Sequence, residues 1–542
     1  MDHSLGRVFM RVPADGPNRA DPLFMEGSMP SRFPRHRPPD PQSPLRATER
    51  PPLGSRLATR HRVLPVPMGP RAAGFLTLLL LTGACAPSSG EGALATADRF
   101  DPEAAAHGLR LGPPAFDAPL AWTGPDLPFP PGENPWPQIR EERIRDLLGP
   151  AMDRAGVDAW ALFLRENNND PLARHVGGEN AGGLAAFLFF REEGGISSIA
   201  FSPGGEATAL RDMALHDSVS VLSGENAWTA AARELAARDP GAIAVNSSPT
   251  LSVADGLSHT QWQTLTGALG PELSARLTSS EELVVQWLSV KTDREVEIMT
   301  RAAEITAALE IEAYSRVIPG ETRDSDVAAY LKARMAQFGV GDAWSPDQNP
   351  NVNSGPDRGH SHATDRVIRP GDVIQTDFGI RVWDMWVSDI QRFAYVLAPG
   401  ESEPSAEIQR RWEAAVAGNR AAFEAMAPGV TGLEVDRAQR EVMDAAGSLD
   451  VFWNTGHPVG YWAHDVGPSL GGAQRGRDPS PHALRPLLPG QVFAFDGFFA
   501  WELEGDEEGT KTISVEEMAV VTEDGARFLI PPQEDLILIR SR

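Results

Sequence analysis

Five side chains, widely separated along a 542-residue chain, are of types that hold divalent cations: Asp377, Asp389, His457, Asp496 and Glu516. Asp377 and Asp389 bracket a predicted hairpin, with Asp377-Phe378-Gly379 on one arm and Ser388-Asp389 on the other. Two carboxylates at one level of adjacent strands can chelate one cation or bridge two, and oxygen ligands suit hard divalent ions. His457 stands in Gly456-His457-Pro458-Val459-Gly460, a turn-like setting that exposes its ring. Asp496 and Glu516 fall on two later predicted strands. Four carboxylates and an imidazole are a suitable donor set for a pair of ions about 3.5–4 Å apart. Singly, each has a plainer use. An aspartate near a turn usually caps or is solvated, His457 would be a loop or core histidine, and Glu516-Glu517 an exposed acidic pair. The ordered set carries the inference.

Strands and helices must bring these residues together. Apolar runs predict strands at Val157–Leu164, Leu184–Phe190, Ile196–Phe201 and Ala242–Val245, and helical spacing marks Ile139–Ala155 and Trp228–Ala237. Helices and strands alternating over this stretch give an α/β domain. Helices are expected at Glu281–Val290, Thr292–Val317 and Asp324–Phe338, the last capped by Asp324 or Ser325. Strands are expected near Val373–Phe378 and Ser388–Leu397, helices at Glu407–Met426 and Leu433–Ala446, then strands near Val492–Ala500 and Thr512–Val521.

The second half contains a repeat. Pro319-Gly320-Glu321-Thr322 and Pro428-Gly429-Val430-Thr431 each precede a helix. Pro370-Gly371-Asp372-Val373-Ile374-Gln375-Thr376-Asp377 parallels Pro489-Gly490-Gln491-Val492-Phe493-Ala494-Phe495-Asp496. Pro-Gly turns before strands are common, but two ordered matches, both ending in Asp, favour duplication. A duplicated unit can place equivalent carboxylates on facing strands of one sheet.

Composition excludes several classes. The net charge of −25 argues against nucleic acid, which needs a basic surface. One cysteine, Cys85, excludes an internal disulfide or a cysteine zinc site. Residues 1–67 differ from the rest, with 11 Arg and no Lys against 6 acids, and 13 of the 47 prolines. They read as a disordered or mis-assigned leader. Met68-Gly69-Pro70-Arg71, the apolar run Ala72–Leu81 and the small residues before Cys85 describe a secretory signal over 68–84. The placement of Cys85 resembles a bacterial lipoprotein, which implies lipidation there, a membrane anchor, and a location in the cell envelope. Ala86 after it resembles sorting to the outer membrane, facing the periplasm or the cell surface. Residues 85–135, rich in Pro, Gly, Ala and Ser, then read as a flexible tether.

The order Asp, Asp, His, Asp, Glu resembles the pita-bread metallopeptidase family, which includes Xaa-Pro aminopeptidase, prolidase, methionine aminopeptidase and creatinase. The matching stretches are Thr376–Gly379, Ser388–Arg392, Gly456–Gly460 and Val515–Thr522, with Lys291–Glu297 resembling the start of the catalytic domain. The resemblance implies an α/β (α+β) architecture: a creatinase-like N-terminal domain over 136–287 and a pita-bread catalytic domain over 288–542 with a pseudo-twofold repeat. It implies Asp377, Asp389, His457, Asp496 and Glu516 as ligands of two divalent ions, manganese first, with zinc or cobalt as alternatives. His464, seven residues after His457, matches a histidine that stabilises the tetrahedral intermediate, and His360, 17 residues before Asp377, one that contacts substrate. His362 is set aside. The implied activity is hydrolysis of the N-terminal bond of short peptides, those with proline second included, and a homodimer is left open.

Two departures stand out. The Asp377–Asp389 interval of 12 residues is one longer than usual in the family, which predicts a bulge or longer turn. Asp496 stands where the family has a glutamate that binds metal and moves the proton. Its place in the repeat still favours Asp496, over Glu502 or Glu504. Two rivals remain: a hydrolase or lyase acting on a non-peptide C–N or C–S bond, and a lipoprotein that binds peptide or metal without cleaving.

Overall fold

The structure, a computed structural model, describes residues 101–117, 133–167, 170–355, 362–503 and 509–541. The leader 1–67, the signal-like segment 68–84, Cys85, His360 and Glu504 lie outside the described residues.

Long apolar runs in the first part can only be satisfied by burial on both faces. Among the described residues they form β1 (Ala159–Arg165), β2 (Leu184–Glu192), β3 (Gly195–Ser202), β4 (Ser218–Val221), β5 (Ile243–Val245) and β6 (Leu277–Ser279), in the order β4-β3-β2-β1-β5-β6. Trp160, Leu162, Leu164, Phe187 and Phe189 share one core with helix α2 (Leu148–Ala155). Ala161, Phe163, Leu188 and Phe190 share another with helices α3 (Ala227–Arg238) and α4 (His259–Ser274). The helix expected over Ile139–Ala155 is interrupted. A turn of π-helix at Arg143–Leu147 separates α1 (Trp136–Glu142) from α2. Pro150 has no N–H to return to the carbonyl of Asp146, which loosens the ladder there.

Helix α5 (Glu281–Leu288) leads to α6 (Asp293–Ser315), which starts from a capping box between Thr292 and Glu295. Helix α7 (Asp324–Phe338) follows. Neither expected residue caps it. The Asp324 carboxylate instead accepts from the backbone N–H of Arg366 at 3.0 Å, and Arg323 occupies the cap. The strands are β7 (Gly341–Asp342), β8 (Asn351–Ser354), β9 (Val373–Phe378), β10 (Ile380–Val382), β11 (Trp386–Val387), β12 (Ile390–Leu397), β13 (Gly456–Pro458), β14 (Val492–Glu502), β15 (Thr510–Thr522), β16 (Gly525–Phe528) and β17 (Ile537–Arg540). The large sheet runs β13-β14-β15-β12-β9-β8, with β16 on β15 and β17 on β12, while β11-β10-β7 form a small one. Helices α8 (Ala406–Ala425) and α9 (Gly432–Ala446) complete the second half.

The repeat is visible in backbone geometry. Gly371 and Gly490 precede β9 and β14 with φ of 89° and 85°, values that favour glycine. Their N–H groups donate to Val396 at 2.7 Å and Val521 at 2.9 Å. Gly320 and Gly429, ahead of α7 and α9, donate to Ile368 at 2.8 Å and Leu487 at 2.9 Å.

One expectation needs correcting. Residues 101–117, read as part of a tether, are docked on the second half. Gly112 N–H donates to Arg316 O at 2.8 Å and Ala115 N–H to Ser315 O at 2.8 Å, and Glu103 pairs with Arg316 at 2.7 Å. Backbone pairing of this kind needs no apolar period, so the composition does not announce it.

Candidate metal centre

Strand register assembles the predicted ligands. Asn351 pairs with Asp377, Asp377 with Gln391, Gln391 with Glu516, and Glu516 with Asp496. Directly opposed residues share a face with Cβ atoms about 4.5–5.5 Å apart. Five strands thus present Asn351, Asp377, Gln391, Glu516 and Asp496 in one row. Asp389, two residues before Gln391, lies one step along the same face. His457 is one step along too, because it pairs with Ala494, which pairs with Met518.

Three ligand atoms, one each from Asp389, His457 and Glu516, lie within 4.8 Å of one another. His457 Nε2 is 3.9 Å from Asp389 Oδ2 and 3.7 Å from Glu516 Oε1. On the other side of the ring, Nδ1 donates to the Ala463 carbonyl at 2.9 Å. A carbonyl only accepts, so Nδ1 carries the proton and Nε2 turns a lone pair toward two carboxylates. Burial, with the adjacent His464 adding to it, pushes the His457 pKa down to about 3, so the ring stays neutral. Burial and then the neighbouring carboxylates hold Asp389 and Asp496 well above the usual carboxylate range. A lone pair and several carboxylates converging in a buried space repel one another unless a cation sits among them. The donor set fits a divalent ion.

The other predicted residues divide. His464 is exposed, its ring 4.2 Å from that of His457. Asp496, not Glu502, occupies the row. Glu502 is exposed six residues further along β14, a rise of about 20 Å. His362 is exposed. A turn lies between Asp377 and Asp389. Val382 pairs with Trp386 around Trp383, Asp384 and Met385, with φ of 48° at Trp383 and 57° at Asp384.

Two groups escaped the sequence reading. One is Gln391, which lies in the row and carries no charge to announce itself. The other braces the loop of His457 and His464 from behind. Glu295 accepts from Arg143 Nη1 at 2.6 Å, Tyr461 Oη at 2.5 Å, Trp386 Nε1 at 3.1 Å and the Thr292 N–H at 2.9 Å. Lys291 Nζ reaches Asp465 Oδ2 at 3.1 Å, and that oxygen also takes the Tyr461 N–H at 3.0 Å. The Lys291–Glu297 stretch, read as the start of a domain, is also a strut.

The sequence matches metallopeptidase family M24 over residues 297–523. Residues 297–523 thus resemble an M24 metallopeptidase domain. Among curated relatives, the probable dipeptidase PepE of Mycobacterium tuberculosis is 27% identical over 253 residues, covering 46% of this chain and 60% of the relative. The Xaa-Pro dipeptidase of Pyrococcus furiosus is 27% identical over 252 residues, covering 46% of this chain and 65% of the relative. The match thus spans less than two thirds of either relative's length. A solved Xaa-Pro dipeptidase from Bacillus anthracis superposes with a TM-score of 0.54 at 21% identity, covering 74% of this chain and 100% of that one. That likeness is one of fold, and it supports the pita-bread architecture for the second half.

Proposed function

We propose that the chain is a metal-dependent peptidase that removes the N-terminal residue of short peptides, Xaa-Pro peptides among them. The observation that carries this reading is the neutral His457 ring, whose Nε2 lone pair faces Asp389 and Glu516 at 3.9 and 3.7 Å. Asp377, Asp389, His457, Asp496 and Glu516 would hold a pair of divalent ions, manganese being expected from the oxygen-rich set. Bound there, the ions would polarise the scissile carbonyl and activate a water.

The chain's own residues do the rest. Ala463 O fixes the His457 tautomer. His464 stands beside His457, where it can donate to the substrate carbonyl oxygen as charge develops. Asp496 stands in the row directly opposite Glu516, where it can pass a proton to the leaving amine. A lipid on Cys85 would place this activity in the cell envelope, a reading supported by the signal-like residues before it.

The test is hydrolysis of a panel of dipeptides and tripeptides by metal-loaded protein, with chelator as control. Turnover that chelator abolishes is expected. Asp496 favours one second reading, a protein that binds metal and peptide but cleaves slowly. Bound metal without turnover, with turnover gained in Asp496→Glu, would decide for it.

A further inference from the structure

From Gln391 in the carboxylate row, a run of buried amides that no ligand role explains extends along the same face. Gln391 Nε2 donates to Glu516 Oε2 at 2.9 Å and to Asp496 Oδ1 at 3.2 Å. Gln391 Oε1 accepts from Gln375 Nε2 at 2.6 Å and from Ser514 Oγ at 3.0 Å. Gln375 Oε1 in turn accepts from Asn353 Nδ2 at 3.2 Å, and Asn353 Oδ1 lies 3.5 Å from the ammonium of Lys511. Asn353, Gln375 and Lys511 are wholly buried, and Gln391 and Ser514 nearly so. Every amide in the run points the same way, nitrogen toward the carboxylates and oxygen toward Lys511. The reverse orientation would set the Gln391 oxygen against two carboxylates, so the chemistry permits one arrangement.

We infer that Gln391 is a positioning residue for the metal-holding carboxylates, with its amide locked by Gln375 and Ser514. Its two N–H bonds choose which oxygens remain for a cation. Glu516 Oε2 is taken and Oε1 is left facing His457 Nε2 at 3.7 Å. Asp496 gives up Oδ1 in the same way. The aligned dipoles put their positive ends at the site, and the buried ammonium at the far end has the same sign. The device steadies a crowded set of anions before an ion arrives and fixes their angles when it does. Partners of this kind typically change metal affinity by about 10–100-fold. Nothing in the reaction requires a glutamine here, and Gln391 touches no reacting atom.

The inference rests on the metal-site reading, so the test separates the two. Wild-type protein is titrated with Co2+ and with Mn2+ alone, following the visible d–d bands of Co2+ and binding heat. Gln391→Met, close in shape and without the amide, should weaken binding by about 10–100-fold and shift the Co2+ bands. Gln375→Met should cause a smaller loss. Combined with Gln391→Met it should add nothing, because it acts through Gln391. A purely structural role would lower the melting temperature, leave the Co2+ bands unshifted and make the two losses additive. Should Gln391→Met fail to fold, Gln375→Met and Ser514→Ala carry the same test. Wild-type affinity and spectrum in a folded Gln391→Met protein would overturn the inference alone. A wild-type chain that binds neither ion would overturn the metal site, and the inference with it.

Discussion

The β1–β6 sheet and the β8–β15 sheet are both buried, yet they bury different things. In β1, Trp160, Leu162 and Leu164 enter one core while Ala159, Ala161 and Phe163 enter the other, so both faces are apolar. In the second sheet the row from Asn351 to Asp496 is polar throughout, with Asp377, Asp389 and Glu516 nearly as inaccessible as the apolar residues of β1. Burying apolar surface stabilises by about 25 cal/mol per Å2. Burying carboxylates side by side costs free energy until a cation or a donor compensates. The first sheet is therefore built for stability and the second for a ligand. Removing a polar side chain from the second should harm function and spare the fold, whereas cutting an apolar one from the first should do the reverse.

The largest effect expected is at Asp389. Asp389→Asn removes an anion from the triad with His457 and Glu516. Peptide hydrolysis should fall by roughly 10³-fold, about 4 kcal/mol in the barrier, and metal binding should weaken with it. The metal-free variant should melt no lower than the metal-free parent, because a repelling charge has gone. Steady-state kinetics and thermal unfolding in chelator check both halves, and a lower melting temperature would show that Asp389 serves the fold.

The converse test is Leu162→Ala, at a wholly buried residue of β1. Urea denaturation should show a loss of about 2–5 kcal/mol. The protein that remains folded should bind Co2+ as the parent does. A changed Co2+ spectrum would mean that the first sheet shapes the site through the Arg143–Glu295 brace.

These contrasts bear on what the sequence could reveal. Asp377 and Asp496 were conspicuous because each ends a Pro-Gly strand repeat, whereas Asp389, His457 and Glu516 were picked out by their order, which resembles that of the metallopeptidase family. Strand periodicity placed Val373–Phe378 correctly and helical periodicity placed Asp324–Phe338. Gln391 was legible in principle: it lies two residues after Asp389, and a period of two puts it on the same face. It was passed over because an uncharged amide has many plain uses. The same period puts Gln375, two residues before Asp377, and Ser514, two before Glu516, on the ligand face, but it cannot say that they and Asn353 meet Gln391. They meet through the pairing of distant strands, and a one-residue change of register would turn them elsewhere. Arg143 is a harder case. It pairs with Glu295 across 152 positions, from a helix whose π-turn the apolar spacing does not signal.

A smaller effect separates the regions by pH. His216 lies between Phe187 and Phe189, with ring centroids 5.2 and 5.6 Å away, and Nε2 bonded to Val176 O at 2.9 Å. Burial lowers its pKa to about 4 from 6.5. The unfolded chain therefore binds a proton that the folded chain refuses between those values. The contribution of His216 is complete above pH 6.5 and declines as pH falls toward 4, by on the order of 3 kcal/mol in all. Urea unfolding across this range should show that slope in the parent and a shallower one in His216→Gln.

The smallest effect concerns a carboxyl in the second half that has no use in the site. Glu295 and Glu310 both lie on α6 and both are wholly inaccessible. Glu295 is met by four donors, whereas neither oxygen of Glu310 has a hydrogen-bond partner among the described residues. Burial raises the Glu310 pKa well above its usual value, and the nearby Asp377, Glu517 and Glu516 act in the same direction against Arg392. The folded chain thus keeps a proton that the unfolded chain releases above about pH 4.5. Its stability cost is small below that pH and grows as pH rises. Glu310→Met should raise stability by about 1–3 kcal/mol at neutral pH, with the gain shrinking toward pH 4. An equal gain at both ends of the range would mean that packing, not the proton, sets the cost. Loss of metal affinity in Glu310→Met would mean that the back of this sheet is part of the ligand-binding design, and the division between the two sheets would then have to be drawn at α6 rather than at the strands.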